Sequence, residues 1–178
     1  FQHERFWLSG ATGGGDPATL GLSGADHPLL GAVVEFPETG GVVFAARLSA
    51  TTHALATDHA VRGVPVLPTA ALVELAIRAG DHVGTPHLLD LAVDAPVALP
   101  ATGALRLRLQ VGAPGDDGAR PLTVHTGPDD GRTDGSAPNA WRRHASGTLA
   151  PAAPGDPGGL GPWPPKAPRF EPVDDHCG

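Results

Sequence analysis

An apolar helix next to two prolines constrains the fold of this chain more than any other feature. Residues 69–80, TAALVELAIRAG, follow Pro65 and Pro68, whose rings prevent a helix from running through that stretch. Pro68 suits the first helical position, where no N–H is needed, and Gly80 suits a C-terminal stop. The helix has two adjoining apolar faces. One is formed by Leu72, Leu75, Ala76 and Ala79, and the other by Val73 and Ile77. Such a helix has to be wrapped by other elements on most sides.

Short apolar runs on both sides of the helix supply strands that could wrap it. Before the helix, 29–36 and 42–49 are separated by PETGG, which predicts a hairpin. After it come the candidate strands 87–99, 104–111, 122–126 and 141–150. The clearest is 104–111, where Leu and Val alternate with Arg and Gln, as in a sheet with one solvent-exposed face. We therefore predict an α+β domain in which an antiparallel sheet curls around a single helix.

Glycine and proline indicate where the domain ends. The chain has 25 Gly and 20 Pro, and they concentrate in 9–28, 112–138 and 151–172. These stretches are predicted to be linker or surface loop, which leaves one domain with two tails. The first ten residues, FQHERFWLSG, are interpreted as an interdomain connector, because their three aromatic side chains need a neighbouring domain to bury them.

Charge and hydropathy argue against several classes of partner. The net charge is −7, and the 12 Lys and Arg residues are scattered along the chain, so no basic stripe is available for a nucleic-acid backbone. The longest apolar run is too short to span a bilayer, and no signal segment opens the chain. The lone cysteine, Cys177, excludes an intramolecular disulfide and favours a reducing, cytoplasmic location. We expect it to be an incidental surface thiol.

A histidine, a glycine and a proline lie at fixed intervals just before the helix. His59, Gly63 and Pro68 belong to the stretch HAVRGVPVLP. Taken alone, His59 would be a structural or surface histidine, and the other two would be turn residues. A metal site is not expected, because the remaining candidate ligands show no recognised spacing. These candidates are His53, Asp58, His82 and His87.

The spacing of these three residues matches a known motif. HAVRGVPVLP fits the HxxxGxxxxP motif of the dehydratase domains of modular polyketide synthases, and LVELAIRAGDHVG continues as their central helix does. HPLLGA at 27–32 resembles the opening of such a domain, and RHASGTLAP at 143–151 resembles the last strand of its first half. FQHERFWL resembles the linker that follows an acyltransferase domain. The likeness covers nearly the whole chain, and linked motifs in order are more specific than one histidine.

The resemblance implies a double hotdog fold, of which this chain is the N-terminal half. Residues 1–26 would be the interdomain linker, 27–151 the first hotdog and 152–178 a connector rich in proline and glycine. The second hotdog of family members carries an aspartate in a DxxxQ or DxxxH motif, which is expected outside this chain. Two departures are expected to reshape the pocket lip: Thr69-Ala70 replaces the family's Gly-Thr, and Ala54-Leu55 replaces Pro-Trp.

The reaction implied by the resemblance is dehydration of a 3-hydroxyacyl thioester, carried on the phosphopantetheine of an acyl carrier protein, to the 2,3-enoyl thioester. His59 would be the general base, since an imidazole pKa of about 6.5 leaves enough neutral ring at cellular pH. Gly63 would donate its backbone N–H to the thioester carbonyl, and Pro65 and Pro68 would stiffen the turn. Partial burial would favour the neutral ring. The apolar neighbours expected to bury it are Val61, Val64, Val66 and Leu67.

The resemblance also implies partners. The aspartate of the second hotdog would protonate the leaving hydroxyl, so no turnover is expected from this chain alone, and no cofactor is expected in this domain. The expected partners are the acyl carrier protein, the C-terminal hotdog and other synthase domains, in a module that forms a homodimer. Arg142, Arg143 and His144 form a small basic group that either meets an acidic carrier protein or is a solvated strand end. Two other functions stay open: a non-catalytic half that packs and dimerises the module, and a single-hotdog thioester hydrolase.

Overall fold

A computed structural model describes residues 17–51, 59–129 and 141–151. Within them the chain forms a short 3-10 helix (Pro17–Leu20), ten β-strands and one α-helix. The strands before the helix are β1 (Ser23–His27), β2 (Leu30–Phe36), β3 (Gly41–Leu48), β4 (Ala60–Val61) and β5 (Val64–Leu67). The helix is α1 (Thr69–His82), and the strands after it are β6 (His87–Val93), β7 (Val97–Ala98), β8 (Leu105–Val111), β9 (Arg120–Pro128) and β10 (Arg142–Ala150).

Seven of these strands form one large antiparallel sheet, and the other three form a small second sheet. The strand order is β1-β2-β3-β8-β9-β10-β6 in the large sheet and β4-β5-β7 in the small one. The helix α1 contacts β6, β8 and β10 of the large sheet, so this sheet curls around it. The predicted α+β architecture, an antiparallel sheet around a single helix, is confirmed.

The predicted hairpin is also confirmed. Strands β2 and β3 pair antiparallel along their length. Gly40 closes the turn with a positive φ of 66°, and its N–H donates to the Phe36 carbonyl over 2.8 Å. A glycine is required there because other residues rarely adopt that φ.

The sheet begins earlier in the chain than predicted. Strand β1 pairs with β2 through Ser23↔Val33 and Gly24↔Ala32. The boundary expected between residues 26 and 27 therefore lies inside β1. Residues 23–26, expected to belong to the linker, pair their backbone with β2, a contact that local composition does not encode.

Strand β8 shows the alternation that its sequence predicts. Leu107, Leu109 and Val111 are completely buried against the helix, while Arg106 and Arg108 lie on the opposite face. The other large side chains that are almost completely buried come from both sides of the core: Phe44, Leu48, Leu72, Leu75, Leu122 and Leu149. The core therefore lies between α1 and the concave face of the large sheet.

The helix is wrapped on fewer sides than expected. Its predicted apolar face is buried, comprising Leu72, Leu75, Ala76 and Ala79. Ile77 on the adjoining face is 39% exposed. The expectation that most sides would be covered is wrong because the large sheet covers one face of α1 and the described residues contain no second layer over the other.

Both ends of the helix differ from the prediction by a few residues. Pro68 is the residue before the first helical position, with φ −58° and ψ 146°. The helix continues past Gly80 to His82, and Gly84, with φ 73°, follows its end. Gly80 is buried inside the helix because the backbone of Thr85 passes directly over it, and the Thr85 N–H donates to the Gly80 carbonyl over 2.8 Å. Close packing, and not helix termination, explains this glycine.

The run predicted as one strand over residues 87–99 is two strands in different sheets. β6 lies at the edge of the large sheet and β7 in the small one. The strand is interrupted between them at Asp94–Pro96. There the backbone N–H groups of Asp94 and Ala95 donate to the His144 carbonyl over 2.8 and 3.3 Å. No helix among the described residues is long and apolar enough to cross a membrane.

Candidate active site

The stretch that begins at His59 forms a β-hairpin with a two-residue turn. Strands β4 and β5 pair through Val61↔Val64, and the turn residues Arg62 and Gly63 both have positive φ, 53° and 78°. This combination is typical of a type I′ turn, for which glycine is the favoured second residue. An added Cβ at Gly63 would meet no atom within 4 Å, so the space beside the turn is open. The Val66 N–H donates to the His59 carbonyl over 2.9 Å and fixes the start of the hairpin.

Strand β7 pairs with the second strand of the hairpin. Val66 and Leu67 pair with Ala98 and Val97, and the Leu99 N–H donates to the Pro65 carbonyl over 2.9 Å. Pro65 has no N–H, so only its carbonyl is available to the ladder. The stretch from His59 to the start of α1 is therefore tied along its length.

His59 lies beside a cavity of about 290 Å³. Its apolar floor is formed by buried side chains, among them Val66, Leu67 and Leu72. The far wall is the break between β6 and β7, including Asp94 and Pro96. The cavity thus combines one imidazole and one carboxylate with an apolar floor, which is the composition of a small-molecule site.

The expected burial of the His59 ring is not observed. His59 is exposed, and so are two of its predicted neighbours, Val61 at 52% and Val64 at 45%, whereas Val66 and Leu67 are buried. The reason is topological: β4 is the outer strand of the small sheet, so its residues are covered on one side only. The structure places His59 at the mouth of the cavity and not inside the core.

Pro68 and the two residues after it are divided between two cavities. Thr69 lines the cavity beside His59. Pro68 and Ala70 line a neighbouring apolar cavity of about 360 Å³. There the His27 Nδ1 accepts the Leu29 N–H over 3.1 Å. Of Thr69 and Ala70, the two departures from the family pattern that lie among the described residues, Thr69 lines the cavity beside His59 and Ala70 does not.

Asp94 lines the same cavity, although the sequence pattern does not predict it as a site residue. Its Oδ2 accepts from Arg143 Nε over 2.7 Å, a contact between residues 49 positions apart in the sequence. In the sequence, the position of Asp94 before Ala-Pro and after an apolar strand is the local pattern that points to a strand end at this carboxylate. This ion pair belongs to the wall of the cavity.

A buried histidine fixes the backbone of the same wall. The His144 Nδ1 lies 3.1 Å from the Ala95 carbonyl oxygen, and its Nε2 lies 2.8 Å from Thr126 Oγ1. A carbonyl oxygen only accepts, so Nδ1 donates, and in the neutral ring Nε2 accepts from the Thr126 hydroxyl. Of the basic group Arg142, Arg143 and His144, only His144 departs from the expectation of a surface position, because it is buried. The two arginines are exposed at the start of β10, where Arg143 pairs with Asp94.

The other candidate ligands do not form a site among the residues that the structure describes. His82 Nε2 lies 3.7 Å from Glu35 Oε1, and the ring packs edge-to-face on Phe44. Across 17–51, 59–129 and 141–151, no three His, Cys, Asp or Glu side chains are placed to hold a metal ion. Two of the candidate ligands, His53 and Asp58, lie outside the described residues, as do Cys177 and the Ala54-Leu55 departure from the family pattern.

Comparison with known proteins identifies the family. The sequence profile described as "Polyketide synthase dehydratase domain" matches residues 27–127. Polyketide synthase GfsA of Streptomyces halstedii is 40% identical over 98% of this chain, and the pikromycin polyketide synthase component PikAII of Streptomyces venezuelae is 43% identical over 98%. The match spans 2% and 5% of these two relatives, respectively.

Solved structures agree in sequence and in fold. The dehydratase domain from the terminal module of the rifamycin polyketide synthase superposes with a TM-score of 0.71 at 44% identity, covering 84% of this chain and 52% of that one. The erythromycin dehydratase gives a TM-score of 0.71 at 39% identity, covering 90% and 58%. The chain thus spans a little more than half of the solved dehydratase domains, and the expected hotdog fold is confirmed. The chain belongs to the polyketide synthase dehydratase domain family and corresponds to the N-terminal hotdog of such a domain.

Proposed function

We propose that this chain is the base-carrying half of a dehydratase that eliminates water from a 3-hydroxyacyl thioester held on the phosphopantetheine of an acyl carrier protein. The observation that carries the proposal is the position of His59 at the mouth of a cavity of about 290 Å³ with a buried apolar floor. An acyl chain fits an apolar floor, and a base at the mouth reaches the carbon next to the thioester carbonyl.

In the proposed reaction the His59 ring removes the proton from C2 of the acyl chain. The electron pair forms the enolate, whose oxygen accepts a hydrogen bond from the Gly63 N–H. The pair then forms the C2–C3 double bond as the C3 hydroxyl leaves and takes a proton, so the products are the enoyl thioester and water. Support for Gly63 is the open space at the turn, where an added Cβ would meet nothing within 4 Å.

The acid that protonates the leaving hydroxyl is proposed to come from a second hotdog, from an aspartate in a DxxxQ or DxxxH motif. Strand β6 supports this arrangement, since it is the edge of the large sheet and exposes Leu89 and Val93. Val93 also lines the His59 cavity. A partner strand paired along β6 would therefore cover the exposed apolar side chains and stand next to the cavity.

A chain that carries half of the dehydratase needs connections to the rest of the synthase. Beyond the described residues, we propose that residues 1–16 connect to a preceding synthase domain and 152–178 to the second hotdog. The partners proposed are the acyl carrier protein, that second hotdog, other synthase domains and a second copy of the module. A non-catalytic packing half is the competing function, favoured by the exposed His59 and by Thr69, which lines the His59 cavity at a position where the family has glycine.

The test compares two histidine variants in a polypeptide that carries both hotdogs. His59→Gln is expected to lower kcat by at least about 10²-fold, the usual contribution of a general base. His82→Gln, a matched change of a half-exposed histidine on α1, should leave kcat within about twofold. Circular dichroism of both variants checks the fold. Equal activity of His59→Gln and the parent would establish the packing role instead, and dehydration by the 178-residue chain alone would contradict the proposed second-half acid.

A further inference from the structure

The outer face of the large sheet carries a groove that the proposed reaction does not use. Its volume is about 500 Å³, and the residues that matter here are Val34, Phe36, Val43, Arg108, His125 and Trp141. Arg108 alternates along β8 with core leucines, so the groove lies on the face opposite α1. Phe36 at its rim is 47% exposed. We call it the outer-face groove.

Two arginines flank one tryptophan at the edge of the groove. The Trp141 ring lies against Gly127, where an added Cβ would come within 3.3 Å of it. The guanidinium carbons of Arg106 and Arg108 lie 5.2 and 5.5 Å from the ring centroid. This distance is typical of cation–π contact and holds both cations at fixed positions.

These cations lack carboxylate partners in the part of the chain that the structure describes. The ion pairs there join other groups, such as Arg143 with Asp94 and Arg47 with Asp129. Arg106 Nε donates to the Pro128 carbonyl over 2.9 Å, and Arg108 Nη1 to the Leu107 carbonyl over 3.3 Å. Burial, and then the nearby charge of Arg106, lower the pKa of Arg108. An incoming anion stabilises two neighbouring guanidinium groups that are partly removed from water.

We propose that the outer-face groove binds an acidic segment of a partner polypeptide, whose carboxylates pair with Arg106 and Arg108 and whose apolar side chain enters the groove beside Phe36. Charge complementarity carries the choice of partner. Carboxylates on guanidinium groups form strong paired hydrogen bonds, and the apolar floor of Val34 and Val43 contributes area. This inference does not depend on the proposed dehydration.

Other occupants fit the groove less well. A second copy of this chain brings a net charge of −7 of its own, and two such chains repel each other more strongly than this chain repels a short acidic segment. A nucleic-acid backbone needs a row of cations and makes no use of an apolar floor. An acidic peptide with an apolar side chain contacts both the arginines at the edge of the groove and its apolar floor.

The test measures binding of a fluorescently labelled peptide to the 178-residue chain by anisotropy. The peptide has Leu-Phe flanked on both sides by Asp and Glu. Its affinity is expected to fall steeply between about 0.05 M and about 0.5 M salt. Arg108→Gln should weaken it about tenfold, or ~1.4 kcal/mol. Arg78→Gln on α1, with the same change in net charge, and His59→Gln should leave the affinity within about twofold.

Several outcomes would overturn the proposal. One is equal binding of a peptide with Asn and Gln in place of Asp and Glu, or of one with Ser-Ser in place of Leu-Phe. Another is an equal loss in Arg78→Gln. If the chain sediments as a dimer that Arg108→Gln dissociates, a second copy occupies the groove. If neutralising the acidic residues Glu171, Asp174 and Asp175 strengthens peptide binding about tenfold, the chain's own C-terminal segment occupies it.

Discussion

Arg143 Nε donates to Asp94 Oδ2 over 2.7 Å and joins strand β10 to the wall of the His59 cavity. Both side chains are well exposed, at 56% and 38%. An exposed ion pair contributes little to stability because water and salt screen it. The backbone of the wall is held separately, by two N–H groups donating to the His144 carbonyl.

Asp94→Asn should therefore cost less than about 1 kcal/mol of unfolding free energy. The measurement is urea denaturation of the 178-residue chain at two salt concentrations, with Arg142→Gln, next to Arg143 on β10, as an exposed control. The small difference should shrink further at high salt. A loss of several kcal/mol would mean that the ion pair, and not the backbone contacts, holds the wall.

Thr126→Val should lower the unfolding free energy more than Asp94→Asn does, by about 1–3 kcal/mol, because it leaves the buried His144 Nε2 without its hydrogen bond. Valine keeps the shape of threonine, so packing changes little. The matched control is Thr123→Val on the same strand, at a half-buried position where valine fits a sheet. Comparable unfolding free energies for the two variants would show that the Thr126–His144 contact does not stabilise the wall.

The sequence predicts the parts of this fold that depend on local pattern. The alternation in β8, the β2–β3 hairpin and the apolar face of α1 follow from periodicities that each segment carries by itself. Even the hairpin at Gly63 depends on residues close together in the chain. The His59 motif could be identified for the same reason.

Features that depend on distant contacts could not be predicted. The break at Asp94 exists because His144, on another strand, accepts its backbone N–H. The stacking of Arg106 on Trp141 joins strand β8 to the start of β10 across the sheet. The exposure of His59 follows from the outer position of β4 in the small sheet, which the sequence of β4 does not encode.

Gly80→Ala tests one of these distant contacts. In an ordinary helix this change stabilises by up to about 1 kcal/mol. Here the added methyl group would run into the Thr85 backbone and the Leu149 side chain, so we expect a loss of about 1–3 kcal/mol in thermal or urea denaturation. The control is Gly24→Ala, where an added Cβ meets nothing within 4 Å and φ is not positive. A stabilised Gly80→Ala variant would contradict the close packing of α1 on Thr85.

His125 on the outer face makes stability depend on pH. Burial lowers its pKa below the ordinary value of 6.5, and the charges of Arg143 and His144 lower it further. The folded chain therefore disfavours the protonated ring. Between the lowered pKa and 6.5 the unfolded chain binds a proton that the folded chain does not, so stability falls as pH falls. This contribution is fully present above the unfolded pKa and is lost as pH drops through the folded one.

His125→Gln should remove the loss of stability that His125 causes as the pH falls. The unfolding free energies of the parent and of His125→Gln are compared by urea denaturation from about pH 8 to about pH 5, where the parent should lose more stability than the variant. His87→Gln, at an exposed position on β6, is the matched control and should follow the parent. Arg143→Gln should reduce the difference in part, because it removes the second cause of the lowered pKa while burial of the His125 ring remains. Parallel curves for the parent and His125→Gln would show that the outer face tolerates the charged ring, because a group with equal pKa values in both states adds no pH dependence.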